Sequence, residues 1–330
     1  MMPRALHALS FLALAAAAPV AAQDNADYSS LVVFGDSLVD AGNINTLIPS
    51  VASPEDGYFM GRFTNGYDYT DLISFDLFGE PTTASLQGGT NFAFGGARAT
   101  TTSAVPDLNE QLAAYQAYLL AGNTVDPNGL YVLNFGGNDV FAAARPGSPA
   151  GYSSDSAFLM EAASNYAQAI QSLADLGANN FLITGFPNAS PDTIAFAQEA
   201  EVYLLSEIGS LSLDGDVDLN FFSYLDFFTR LQADPTAFGL PADLDFNTTC
   251  QAAGALPTCE GYFSFDGTHP TAAIHRAAYG EIRTQLGISA PVPEPATWLM
   301  MLLGFGFVGG AMRFRKRPQL RTARAAINFG

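Results

Sequence analysis

Short apolar runs that each stop at a glycine recur along this chain, and the segments between them carry helical periodicity. Leu31-Val32-Val33-Phe34 stops at Gly35, Tyr131 to Phe135 at Gly136-Gly137, and Phe181 to Thr184 at Gly185. Val217 to Phe222 is a further run, and Asn91 to Phe94, closed by Gly95-Gly96, is a shorter one. Runs of this length and composition read as buried strands. Between them Asp107 to Leu120, Ser156 to Leu176 and Pro191 to Ile208 are amphipathic, and a last helix is expected from Thr271 to about Leu286. Strand and helix in alternation imply parallel pairing, hence an α/β, doubly wound (flavodoxin-like) sheet with helices on both faces. Ligands of such sheets sit at the carboxyl ends of the strands, which is where the glycines fall. Residues Ala233 to Phe265, interrupted by Pro235, Pro241 and Pro257, read as a long surface excursion.

Both ends of the chain fall outside this pattern. Residues 1–22 have the layout of a signal peptide: Arg4, an apolar run from Leu9 to Val20, then the small residues Ala21-Ala22. The expected organisation is a signal peptide over 1–22, a globular domain over 23–289, an apolar tail segment ending in a basic cluster over 290–317 and a short extension over 318–330. Charge narrows the partners. Between Asp24 and Ala290 stand 31 acidic residues against six arginines, a surface that repels phosphate backbones and excludes nucleic acid. Cys250 and Cys259 are the only cysteines, too few for a zinc site by themselves. In an exported chain they are expected to form a disulfide closing a small loop, which would stabilise by roughly 2.5 kcal/mol; two free thiols are the alternative.

Chemistry is concentrated in a few segments. In Phe34-Gly35-Asp36-Ser37-Leu38 a serine stands just beyond a strand end, where its hydroxyl can face the mouth of the sheet. Asp266-Gly267-Thr268-His269 spaces a carboxylate and an imidazole so that the acid can fix the ring tautomer. A serine hydroxyl becomes a competent nucleophile when such a base takes its proton. Once His7 leaves with the signal peptide, only His269 and His275 remain. His275 lies inside the last helix with no acidic neighbour at helical spacing on its N-terminal side, so His269 is the expected base. Asn91 to Ala97 and Gly136-Gly137-Asn138-Asp139 offer backbone N–H groups and an amide to a developing oxyanion.

These four segments, in this order, resemble the blocks of the GDSL (SGNH) family of serine esterases and lipases. Gly61-Arg62-Phe63-Thr64-Asn65-Gly66 also resembles a segment of the branch whose first block extends to Asp-x-Gly-Asn, here Asp40 to Asn43. The likeness covers about Leu31 to Leu286. It implies that Ser37 attacks the ester carbonyl, His269 serves as general base and then acid, and Asp266 orients His269. It implies an oxyanion hole of the Ser37 N–H, the Gly96 N–H and the Asn138 side chain, with Gly95 the rival of Gly96. Phe186-Pro187-Asn188-Ala189 departs from the family's usual segment after that strand, which bears on specificity. Neither a cofactor nor a metal ion is called for.

Other signals fail their context. Gly304 to Gly309 matches a dinucleotide fingerprint but lies in an apolar tail with no strand-helix unit. Asp214-Gly215-Asp216-Val217-Asp218 begins like a calcium loop, yet Leu219 and Leu225 stand where glycine and glutamate are required. The tail itself runs Val292-Pro293-Glu294-Pro295, then an apolar stretch from Ala296 to Met312, then Arg313-Phe314-Arg315-Lys316-Arg317. It resembles the PEP-CTERM sorting tail of exported Gram-negative proteins, with an ordinary C-terminal transmembrane anchor as the alternative. That tail implies transient contact with the inner membrane and a processing protease as partner. The expected substrate is a small-molecule, lipid or polysaccharide ester. A carbohydrate O-deacetylase and a non-catalytic surface or matrix module are the competing readings.

Overall fold

A computed structural model describes residues 28–100, 103–187, 191–288 and 304–305. The chain divides into two units, Met1–Ser289 and Ala290–Gly330, and the fold below is that of the first. The signal-peptide segment lies outside the described residues, as does the apolar stretch Ala296 to Met312 apart from Gly304 and Phe305. Among the described residues no helix is long and apolar enough to cross a membrane.

Four strands, β1 (Leu31–Gly35), β2 (Leu130–Asn134), β3 (Asn180–Thr184) and β4 (Asp218–Phe222), pair in parallel in the order β1-β2-β3-β4. Registers run Leu31 with Leu130, Leu130 with Asn180, and Asn180 with Asp218, so the four carboxyl ends lie level. The helices are α1 (Asn43–Leu47), α2 (Tyr69–Phe78), α3 (Leu108–Leu120), α4 (Gly137–Ala143), α5 (Asp155–Asp175), α6 (Ile194–Ile208), α7 (Tyr224–Ala233), α8 (Cys250–Ala253) and α9 (Ala272–Gln285).

Side chains alternate across the sheet, and both faces are covered. Val32, Phe34, Tyr131, Leu133, Phe181 and Ile183 join α3, α5 and α6 in one core. Leu31, Val33, Leu130, Val132 and Leu182 join α2, α7 and α9 in the other. Each such aliphatic or aromatic side chain contributes on the order of 2 kcal/mol on burial. The α/β sheet with helices on both faces expected from the sequence is therefore present.

Asn91 to Phe94 does not form the strand expected of it; only a bridge between Val33 and Asn91 joins it to β1 in parallel. The segment still lies along that edge, with Phe92 N donating to Val33 O and Phe94 N to Gly35 O. Its outer side is bound by side chains. The Asn43 amide donates to the carbonyls of Asn91 (2.8 Å) and Ala93 (2.9 Å) there, while on the β1 side the Gly35 N–H donates to Gln111 Oε1 at 2.9 Å instead of to Phe92 O, which ends strand pairing after one residue. The chain thus runs from β1 to a neighbour on its outer side and then crosses to β2 on its inner side, so the carboxyl end of β1 is a switch point.

The excursion at 233–265 is irregular, as expected, but not confined to the surface. Cys250 and Cys259 are bonded to each other and buried with Phe265. The helix expected from Pro191 opens with a tight turn over Pro191–Thr193 before α6 begins.

Candidate active site

Ser37 follows β1 directly. The N–H of Asp36 donates to the carbonyl of Asn134, the last residue of β2, and the Leu38 N–H donates to Asp36 Oδ1 at 3.0 Å. This turn leaves the Ser37 side chain half-buried at the carboxyl end of the sheet. His269 and Asp266 arrive from the far end of the chain, on the loop before α9. Ser37 Oγ lies 2.7 Å from His269 Nε2, and His269 Nδ1 lies 2.7 Å from Asp266 Oδ2. The other oxygen, Asp266 Oδ1, accepts the backbone N–H groups of Thr268 (2.9 Å) and His269 (2.8 Å). Three-residue spacing thus closes a turn in which the acid holds both the backbone and the ring of its histidine.

Burial alone would raise the Asp266 pKa. The hydrogen bond and charge of His269, with the two backbone N–H groups, outweigh it and hold the carboxyl down at about 2. It is therefore ionised at neutral and mildly acidic pH, and it can stabilise an imidazolium. His275 lies on the buried face of α9, its ring stacked on Tyr69 at 6.3 Å between centroids. Desolvation, then the neighbouring His269, push its pKa down to about 3, so it stays neutral.

The glycine-rich segment at 95–100 is clamped from three directions. Gly95 N–H donates to Asp40 Oδ2 at 2.8 Å, and Asp40 also accepts the N–H groups of Gly42, Asn43 and Ile44. Asp139 accepts from the N–H groups of Ala99 (2.8 Å) and Thr100 (3.1 Å) and from the Thr100 hydroxyl. The half-buried Asn138 donates one amide N–H to Ala97 O at 2.9 Å and carries a second. Gly95 has no room for a side chain, since a Cβ there would lie 2.4 Å from the Phe63 ring. With its N–H committed to Asp40, Gly95 cannot serve an oxyanion. Gly96, exposed and at φ +88°, presents its backbone to solvent instead.

A cleft opens at Ser37, Asn138 and His269, and Phe141, Phe228 and Phe263 give it aromatic walls. Gly96 is not among its lining residues. The structure thus brings Ser37, His269, Asp266 and Asn138 to one place and ties the Gly96 loop to Asn138 through Ala97.

Several contributors carry no role in the sequence reading. Asp36, Asp40 and Asp139 are buried carboxylates whose desolvation pushes their pKa values up, to about 7, 6 and 6. Their signal lay inside the recognised blocks, but Asp40 and Asp139 act on backbone N–H groups of the distant 95–100 loop. Arg62 donates to Asp71 Oδ1 at 2.7 Å and to the Thr82 carbonyl, giving the Gly61 to Gly66 segment a structural task. Tyr58, whose hydroxyl donates to Asp266, had no signal at all.

An open parallel α/β sheet with serine, histidine and aspartate hydrogen-bonded in series at its carboxyl edge has the layout of the serine hydrolases as a class. The family can be stated more narrowly. Residues 31–282 match the family model of the GDSL-like lipases and acylhydrolases, and the chain belongs to that family. Residues 291–317 match the PEP-CTERM protein-sorting motif, which points to export and surface sorting. A thermolabile hemolysin of Vibrio parahaemolyticus is 27% identical over 281 residues, 75% of this chain and 61% of that protein. Lipase 1 of Photorhabdus luminescens is 32% identical over 221 residues, 62% of this chain and 29% of the lipase. Acetylajmalan esterase 2 of Rauvolfia serpentina is 25% identical over 323 residues, 76% of this chain and 88% of the esterase. The chain therefore spans about three fifths of the first relative and under a third of the second.

Proposed function

We propose that this chain is a secreted carboxylic ester hydrolase in which Ser37 is the nucleophile, His269 the general base and acid, and Asp266 the residue that orients His269. The observation that carries this reading is the pair of 2.7 Å contacts from Ser37 Oγ to Nε2 and from Nδ1 to Asp266 Oδ2. His269 Nε2 takes the hydroxyl proton as Ser37 Oγ attacks the ester carbonyl, and the carbonyl oxygen becomes an oxyanion. Donors for it are the Ser37 N–H, the Gly96 N–H and the second amide N–H of Asn138; the commitment of Gly95 to Asp40 favours Gly96. His269 then passes its proton to the leaving alcohol. Water, activated by the same imidazole, releases the acid and restores Ser37. The aromatic cleft suits an apolar acyl group, and a lipase and an esterase stand among the relatives.

The organisation belongs to the same proposal: a signal peptide over 1–22, the hydrolase over 23–289, a sorting segment over 290–317 met by a processing protease at the inner membrane, and a short extension over 318–330. A fluorophosphonate probe should label Ser37 covalently in the purified protein. Ser37→Ala should lose both labelling and esterase activity, the latter by roughly four or more orders of magnitude. An unlabelled wild type, or a fully active Ser37→Ala protein, would remove Ser37 from the mechanism.

A further inference from the structure

Asp266 is held by more than its histidine. Its Oδ1 accepts two backbone N–H groups, while Oδ2 accepts His269 Nδ1 at 2.7 Å and the Tyr58 hydroxyl at 2.8 Å. Four donors saturate a carboxylate whose side chain is only 10% exposed. Tyr58 comes from 208 residues earlier in the chain, in the loop after α1, and its place is built. Its ring meets Phe265 edge-on at 4.9 Å and Phe63 at 6.0 Å, and Phe63 in turn lies 5.0 Å from the His269 ring. Phe265 is buried with the Cys250–Cys259 bridge, against which Tyr58 also packs. Gln251 donates to the Asp56 carbonyl at 2.9 Å, fixing the backbone two residues before Tyr58. Desolvation and the charge of Asp266 both raise the Tyr58 pKa, so its oxygen keeps the proton it donates.

We propose that Tyr58 is a positioning residue of the active site: its hydroxyl holds Asp266 Oδ2 in line with His269 Nδ1 and sets how strongly that oxygen attracts the imidazole proton. The inference rests on the Ser37–His269–Asp266 reading. It follows from the shared acceptor. A carboxylate can rotate about its Cβ–Cγ bond and shift toward solvent; a second donor on Oδ2, anchored to an independent segment, removes that freedom. The same donor draws electron density from Oδ2 and so weakens its support for an imidazolium. Loss of the hydroxyl therefore has two effects of different kind. Asp266 is less well placed, which slows turnover. The unshared Oδ2 becomes a stronger acceptor, which raises the basicity of His269.

The test compares Tyr58→Phe with wild type on a soluble p-nitrophenyl ester across pH, with Ser37→Ala measured beside them. Tyr58→Phe keeps the ring and its contacts. It should lower kcat about tenfold, the worth of one hydrogen bond to a charged group, with KM unchanged. The acid limb of kcat/KM should move to higher pH. A fluorotyrosine at position 58, a stronger donor of nearly the same size, should move that limb to lower pH. A purely structural tyrosine would change the unfolding temperature and leave both limbs in place, and that result would overturn the proposal. So would a rise in KM alone, which would mean contact with substrate. An active Ser37→Ala protein would instead dismiss the underlying reading, whatever the Tyr58 variants did.

Discussion

At the scale of single residues, Asn138 is where geometry adds most to the sequence. One of its amide hydrogens is spent on Ala97 O, so the side chain is fixed before any substrate arrives. A donor held in advance stabilises charge that develops in the transition state and adds little to ground-state binding. Asn138→Ala should therefore lower kcat about a hundredfold or more, roughly 3 kcal/mol, with KM nearly constant. A rise in KM with kcat intact would make Asn138 a substrate-binding residue. Ser37, Asp266 and His269 were legible because serine, carboxylate and imidazole lie in short blocks and only two histidines follow residue 22. Tyr58 was not, because nothing in its neighbourhood distinguishes it from the other twelve tyrosines of the chain. Its partner is set by a tertiary crossing of two loops. Asp40 and Asp139 were visible as letters in their blocks, but their work, pinning the 95–100 loop from two sides, needs the fold to be seen.

Elements were legible in proportion to how cleanly one face is apolar. β1 to β3 are buried throughout or nearly so, and the alternation of strand and helix gave the sheet. α2 carried no sequence expectation because its buried face includes Thr70, Asp71 and Ser74, polar residues that blur the period. α7 had a signal, Ser223 capping a helix that buries Tyr224, Phe227 and Leu231, and it went unread. α9 was expected, and it supplies a test of the two histidines. His275, on its buried face, has a pKa of about 3 against an ordinary 6.5. The unfolded chain then binds a proton between those values that the folded chain refuses. His275 therefore costs stability as pH falls from about 6.5 toward 3. The raised carboxyls of Asp36, Asp40 and Asp139 act in the opposite sense over part of that range, so the comparison must be with a variant. His275→Leu should keep most esterase activity and lose less stability than wild type on acidification, as read from urea midpoints at a series of pH values. Equal acid sensitivity of the two proteins would mean that His275 is charged in the folded state; an inactive His275→Leu protein that folds would mean the wrong histidine had been chosen as base.

For the whole molecule, the family match at 31–282 and the sorting motif at 291–317 put a GDSL-family domain and a sorting signal in series, and the order has a physical logic. An acidic domain with only six arginines between Asp24 and Ala290 is held off anionic surfaces, so the proposed membrane contact would have to come from elsewhere in the chain. The tail has the parts to do it. The seventeen residues from Ala296 to Met312 are at the lower limit for spanning a bilayer, and on the proposed reading they would partition into the inner membrane as export finishes. Arg313, Arg315, Lys316 and Arg317 resist crossing it. Pro293 and Pro295 disfavour regular helix hydrogen bonding, so on the proposed reading a processing enzyme would cut near them. The mature product is accordingly expected to lack Trp298 to Gly330 and to be released from, or passed beyond, the inner membrane. Intact-mass measurement of the protein exported by its native host decides the matter. A mass short of that tail, with esterase activity in the same fraction, is the expected outcome. A peptide spanning Arg313 to Arg317 on most of the exported protein would instead make the tail a permanent anchor.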